Sequence, residues 1–369
     1  MVVIVEAVHL RRLQMPLRDS FAASYGTHPL KHCILVQLET DLGVGFAECS
    51  AFADPYYTEE TIDTAWFMMR RYLAPALKGK SLSTAEQASS LWDRVRGHNM
   101  AKASLESAVW DVLASYDHHS LAKALGGTAG EIPVGISLGL YETDVALLQR
   151  VETALVEGYQ RIKVKIAPGR EHAILRSIRD AFGEIALSAD ANGAYTKADA
   201  TSLKALDEYG LVMLEQPLAF DDLHEHAELQ MAMSTPICLD ESIRSIRDAR
   251  SAIAMGACRA ICVKPSRVGG LSSARDIVAL CEASGLPAWC GGMYETGVGR
   301  LHCMALCTLP GMTLPGDIGP SARYYDEDIV DPPIAFSRPG WLSVTDSPGR
   351  GAQINWAALA RYTVAEERL

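Results

Sequence analysis

Apolar and polar positions alternate strictly in the stretch RIKVKI, residues 161 to 166. On an extended strand successive side chains point to opposite faces, so Ile162, Val164 and Ile166 share one face and Lys163 and Lys165 the other. A strand with one wet face gives this pattern. So does a strand whose two ammonium groups face an enclosed site, and the surrounding pattern has to separate the two.

Downstream of residue 128 the chain alternates short apolar runs with amphipathic helical stretches. Eight runs lie near 132–139, 161–166, 185–190, 211–217, 236–240, 260–265, 287–292 and 312–317, and from the second onward the step is close to 25 residues. A repeated βα unit with right-handed crossovers predicts a (β/α)8 barrel. A doubly wound open sheet is the competing arrangement, weakened because no GxGxxG follows the first strand. Upstream, VVIVEAVHLRRL (2–13) and KHCILVQLET (31–40) read as strands, and DLGVGFAECS (41–50) continues a sheet. From about Thr58 three helical stretches follow, the last stopped by Gly126-Gly127. The fold class expected is therefore α/β, a modified TIM barrel over residues 129–324 preceded by an α+β domain over 1–128. His224 and His226, in DDLHEHAEL, fall on a helix expected to be solvated.

In such barrels the chemistry sits at the C-terminal ends of the strands. There the sequence places Lys163 and Lys165 on strand two, Asp190 on three, Glu215 on four, Asp240 on five and Lys264 on six. The three acids are spaced by 25 and 25 residues. Neighbouring strands lie about 4.8 Å apart, so the carboxylates converge. Three such groups do not all stay ionised without compensation. A divalent cation compensates them, and an all-oxygen set suits Mg²⁺ or Mn²⁺ rather than zinc. An ion-pair cluster with Lys165 and Lys264 is the plainer account. Lys163 and Lys165 are expected to lower each other's pKa, and Arg267 to do the same for Lys264. Strands two and six oppose each other in an eight-membered ring. Lys165 and Lys264 then flank a metal-held substrate, a layout for removing the proton α to a carboxylate.

The formal charge of −11 argues against nucleic acid or anionic membrane as partner, though local charge decides whether a small anion binds. The nine cysteines lack paired framework spacing; Cys258/Cys262 and Cys303/Cys307 read as core thiols rather than metal pairs. The start, MVVIVEAVHLRRLQMPL, reads as a first strand and not a signal peptide. No apolar run approaches the ~18 residues of a membrane helix. A cytoplasmic location is expected.

The motifs KVK, SADANGAY, LEQPL, CLDES and VKPSRVGG together resemble the muconate-lactonising branch of the enolase superfamily, over essentially the whole chain. SFAASYGT (20–27), GFAECSAFADPYYTEET and GGMYETGVGR narrow the likeness to the o-succinylbenzoate synthase/N-succinylamino acid racemase subfamily. The resemblance implies a capping domain completed by the C-terminal tail, 325–369. It implies Mg²⁺ (or Mn²⁺) on Asp190, Glu215 and Asp240, and Lys165 and Lys264 as acid/base pair. Lys163, Asn192, Glu241 and Arg267 are expected as supporting groups. The implied substrate is a small carboxylate carrying a succinyl group, processed by syn dehydration in menaquinone biosynthesis, by racemisation, or by both. Specificity is expected from cap residues Phe21, Ser24, Tyr25, Phe52, Pro55 and Tyr56. Ser137 and the strand-seven residues Gly292, Met293 and Tyr294 are expected to join them, with backbone N–H groups there holding the succinyl carboxylate. The likeness also favours a homo-oligomer. A dipeptide epimerase is disfavoured, since PGDIGPSARYY carries a single Asp317 in place of an Asp-x-Asp pair. A muconate cycloisomerase-like enzyme and a non-catalytic metal-binding barrel are the remaining alternatives.

Overall fold

Val3–Ala23 runs antiparallel to Gly26–Thr40, which pairs in turn with Gly43–Cys49. On its other side the first strand takes the C-terminal strand Thr363–Arg368, with His9 opposite Arg368. A computed structural model of the chain describes residues 2–23, 26–128 and 130–369; between 19 and 28 it describes backbone only, so Phe21's side chain, Ser24 and Tyr25 lie outside it. Helices cover one face of this sheet. At Gly45 the helix Asn99–Tyr116 comes so close that an added Cβ would meet the Ala108 carbonyl at 2.1 Å. That helix is buried on nearly every side, lying between the sheet and the barrel.

The helical stretch predicted to reach Gly126 is two helices. Asn99–Tyr116 ends where His118 takes a left-handed conformation (φ 55°), and Leu121–Leu125 restarts behind Ser120, whose hydroxyl accepts from the Lys123 N–H. The polar DHHS segment supplies both the stop and the new cap, which apolar periodicity does not reveal. Gly126 (φ 95°) then ends the second helix, as expected.

Seven parallel strands form the barrel wall in chain order: Gly135–Leu138, Arg161–Lys165, Leu187–Asp190, Leu214–Glu215, Ile237–Leu239, Ala260–Val263 and Ala288–Cys290. The eighth position is held by two single bridges, Met312 to Ala288 and Gly316 to Val134. Pro315, with no N–H, interrupts the ladder there. The run predicted as strand one also divides. Gly130–Pro133 pairs antiparallel with Trp341–Val344, and from Val134 on the chain enters the barrel, as the strand Gly135–Leu138. His226, expected on a solvated face, is fully buried: its Nε2 accepts from the Leu218 N–H at 3.3 Å, and Nδ1 meets the Asp222 carbonyl. His224 is exposed beside Glu228. No helix among the described residues is long and apolar enough to cross a membrane.

Candidate active site at the barrel mouth

Every residue of Arg161–Lys165 is buried, which excludes the wet-face reading of its alternation. Its polar side points into the barrel. Arg161 donates to Asp317 at 2.9 Å and lies over the Trp289 ring. Lys163 contacts Glu215 (2.7 Å), Asp317 (2.8 Å) and Asp190 (3.3 Å). Lys165 donates to Asp190 Oδ2 at 2.7 Å and to the Asn192 side-chain carbonyl. Across the ring, Lys264 donates to Asp240 Oδ2 and to the Tyr57 hydroxyl, both at 2.8 Å. Three strands separate the strands of Lys165 and Lys264, and both ammonium groups line one cavity.

For Lys163 and Lys264 the expected depression of the pKa is not what these contacts produce. Burial does pull Lys163 down, but Asp317, Glu215 and Asp190 outweigh it and hold it well above the usual lysine range. Lys264 is likewise held up: burial lowers it and Asp240 more than compensates. Arg267 acts on Lys264 in the expected direction, but its stronger engagement is elsewhere. It donates to Asp240 Oδ1, to the Ile243 carbonyl (2.8 Å) and to the Cys262 carbonyl (2.7 Å). Reading two lysines two residues apart as a repelling pair neglected the acids that the other strands bring to each.

The acids differ among themselves. Burial would raise Asp190, but Lys165 and Lys163 bring it below its usual value. Burial would raise Asp240 too, and Arg267 and Lys264 reverse this. Glu215 is pushed up to about 8 by burial and by Asp190 beside it. Glu241, partly buried, is pushed up to about 7 by desolvation, Asp240 and Asp190, while its Oε1 accepts from Asn192 at 2.9 Å.

These residues fit a hard divalent cation. Buried oxygens Glu215 Oε1 and Glu241 Oε2 have no hydrogen-bond partner, a costly condition that a cation relieves. Oxygens of Glu215 and Asp240 lie within 4.8 Å of each other and of Cys262 Sγ. A sulfur at this position was not foreseen. Burial and Asp240 push the Cys262 thiol well up, and a hard divalent cation takes carboxylate oxygens in preference to a sulfur. Asp190 stands outside this tightest group, its Oδ2 turned to the lysines.

The cavity wall comes from both halves of the chain. Phe52 and Ser137 line it with Gly292, Met293 and Tyr294. Tyr294, in a left-handed conformation (φ 55°), sets its ring 6.1 Å from those of Phe52 and Tyr324. Gly292 is required: a Cβ there would meet the Asp317 carbonyl at 2.6 Å. One expectation fails: Tyr56 is 68% exposed, and its neighbour Tyr57 reaches the site instead. Of the three backbone N–H groups expected to hold the succinyl carboxylate, that of Met293 is engaged, donating to Glu295 Oε2 at 2.9 Å.

Sequence reasoning also passed over Asp317 and Arg323-Tyr324. Asp317 carried a usable signal: it closes the eighth apolar run, as Asp190 and Asp240 close theirs. Tyr57 and Arg323 carried none, since loop conformation alone brings them to the cavity.

Residues 5–126 match the family described as mandelate racemase/muconate lactonizing enzyme, N-terminal domain, and residues 146–358 match enolase C-terminal domain-like. An o-succinylbenzoate synthase of Geobacillus kaustophilus is 48% identical over 98% of this chain and 97% of its own. An N-succinylamino acid racemase of Amycolatopsis sp is 44% identical over 94% of each. The crystal structure of an enolase superfamily member from Listeria innocua superposes with a TM-score of 0.96 at 39% identity, covering 100% of this chain and 99% of that one. With its cap, its parallel barrel and relatives at this identity over nearly their full length, the chain belongs to the o-succinylbenzoate synthase/N-succinylamino acid racemase group of the enolase superfamily.

Proposed function

We propose that this enzyme removes the proton α to a substrate carboxylate between Lys165 and Lys264, with Asp190, Glu215 and Asp240 holding Mg²⁺. The observation that carries the reading is that two buried lysines reach one cavity from opposed strands, with partly unpartnered carboxylates between them. When bound, the cation supplies Lewis-acid stabilisation of the charge that develops on the substrate carboxylate.

Lys165 takes the α-proton from one face of the α-carbon. In racemisation Lys264 returns a proton to the other face. In dehydration of 2-succinyl-6-hydroxy-2,4-cyclohexadiene-1-carboxylate, Lys165 takes the proton and protonates the departing hydroxyl on the same side, giving o-succinylbenzoate, while Lys264 remains a cation beside the developing charge. Phe52, Tyr57, Tyr294 and Tyr324 exclude water from this reaction space. Relatives bearing both names at similar identity support one site for both reactions.

The test is proton NMR of N-succinyl amino acids in D₂O, beside the ultraviolet assay of o-succinylbenzoate formation. Loss of the α-proton signal, abolished by EDTA and restored by Mg²⁺, is expected. Lys165→Ala should end both reactions. Near-normal turnover of both substrates by that variant would overturn the assignment.

A further inference from the structure

We infer that Lys31 is a positioning residue for the reaction: it reaches from the cap to the Met293 carbonyl, holds the Met293–Tyr294 peptide in a strained orientation, and so sets the part of the cavity wall that Tyr294 forms. The inference rests on the proposed α-proton chemistry and adds to it a residue from outside the cavity lining.

Lys31, Cys33 and Leu35 share one face of the strand Gly26–Thr40, and Glu48 on the next strand lies opposite Leu35. Cys33 and Leu35 pack there in an apolar cluster with Val298, Tyr325 and Ile329. An ammonium is costly in such a place, and Lys31 is only 2% exposed. Glu48 balances its charge at 3.2 Å. Charge balance alone is a weak reason for the pair, since apolar residues of the same volume are often as stable. Beyond balancing each other, the two side chains grip the segment that follows the seventh barrel strand. Glu48 accepts from the Thr296 N–H at 2.7 Å and from the Thr296 hydroxyl at 2.6 Å. Lys31 donates to the Met293 carbonyl at 2.8 Å.

Tyr294 lies between these two grips, in its left-handed conformation (φ 55°). That conformation is unfavourable for a bulky side chain. Turning over the Met293–Tyr294 peptide plane would return Tyr294 to an ordinary negative φ. It would also withdraw the Met293 carbonyl from the ammonium, and a buried polar group that loses its partner is costly. Neighbouring bonds do not substitute for this one. Glu295 Oε2 holds the Met293 N–H, which belongs to the peptide before, and the Tyr325 hydroxyl holds the Tyr294 carbonyl, which belongs to the peptide after. Lys31 acts on the peptide between them. The conformation so held sets the Tyr294 ring against Phe52 of the cap and against Tyr324, and all three line the cavity. Seating of the cap and the shape of the wall are thereby linked through one ammonium group.

The experiment separates positioning from charge balance. Lys31→Met alone leaves the Glu48 charge buried without its ammonium, so the informative variant is Lys31→Met combined with Glu48→Gln. Lys31→Leu in the same background is the alternative should methionine pack poorly. The combined variant should recover most of the urea midpoint lost in Lys31→Met. Its KM for an N-succinyl amino acid should nevertheless stay raised about tenfold, the worth of a hydrogen bond to a charged group. Its kcat should stay within about threefold, as for a lost binding surface rather than a lost proton carrier. A crystal structure of that variant should show Tyr294 outside the left-handed region. Recovery of KM together with the urea midpoint, a loss confined to kcat, or Tyr294 still near its present φ would each overturn the inference. Failure of the α-proton reading would show separately, since the unaltered enzyme would then exchange no substrate. The Tyr294 conformation in the crystal still decides the inference in that event.

Discussion

The Tyr57 hydroxyl accepts a hydrogen bond from Lys264 at 2.8 Å, tying a cap residue to the end of the sixth barrel strand. The same oxygen lies 3.3 Å from Asp240 Oδ2 and accepts from Arg267 at 3.0 Å. Burial and Asp240 raise the phenol's pKa, so it stays protonated and can donate to that carboxylate. The cap thereby fixes one of the two lysines, while Asn192, from the barrel, fixes the other.

This asymmetry gives a directional prediction. Tyr57→Phe should slow α-proton exchange about tenfold, the worth of one hydrogen bond to a charged group. The loss should fall mainly on the enantiomer deprotonated by Lys264. Exchange rates of the two N-succinyl enantiomers in D₂O measure it, and equal slowing of both would remove the proposed link.

Cation binding should also stabilise the fold, because it relieves Glu215 and Glu241, whose unpartnered oxygens are buried. At a Mg²⁺ concentration about a hundredfold above its dissociation constant, the gain should be about 2.7 kcal/mol. Denaturant midpoints with and without Mg²⁺ measure this. In Asp240→Asn the Mg²⁺-dependent shift should vanish.

Glu106 is one of the buried groups that dock the cap onto the barrel. This fully buried carboxylate, on the helix Asn99–Tyr116, accepts from the N–H groups of Leu271 (2.8 Å) and Ser272 (3.0 Å) at the start of the barrel helix Leu271–Ala283. It also accepts from Trp110 Nε1 at 2.9 Å and from the Ser272 hydroxyl. Gly270 permits the approach, since a Cβ there would meet the carboxylate at 2.4 Å. Glu106→Ala strands several buried donors and should cost about 3 kcal/mol or more in urea unfolding. Glu106→Gln, which keeps an acceptor, should cost clearly less.

His226 makes part of the stability pH-dependent. Accepting the Leu218 N–H through Nε2 requires a neutral ring, and burial lowers its pKa below the ordinary 6.5. The folded state therefore binds fewer protons than the unfolded chain just below that value. Stability is present above about pH 6.5 and falls as the pH drops through it, by at most about 1.4 kcal/mol per pH unit per proton. Unfolding midpoints between pH 7.5 and 5 should show a shallower slope in His226→Gln. An unchanged slope would mean that the ring accepts its proton without loss of the fold.

The sequence by itself determined the βα repeat, its step of about 25 residues and the charged residues closing successive runs. Each follows from local periodicity: strand alternation sets the face and unit length sets the strand, so Lys165, Asp190, Glu215, Asp240 and Lys264 were legible as a group around one mouth. Only the tertiary structure decided what each charge meets. Lys163 is raised rather than lowered because Asp317 and Glu215 arrive from strands 154 and 52 residues away in sequence. Tyr57 rather than Tyr56 enters the site because loop conformation, unlike strand alternation, has no period. The Met293 N–H is unavailable because Glu295 folds back onto it.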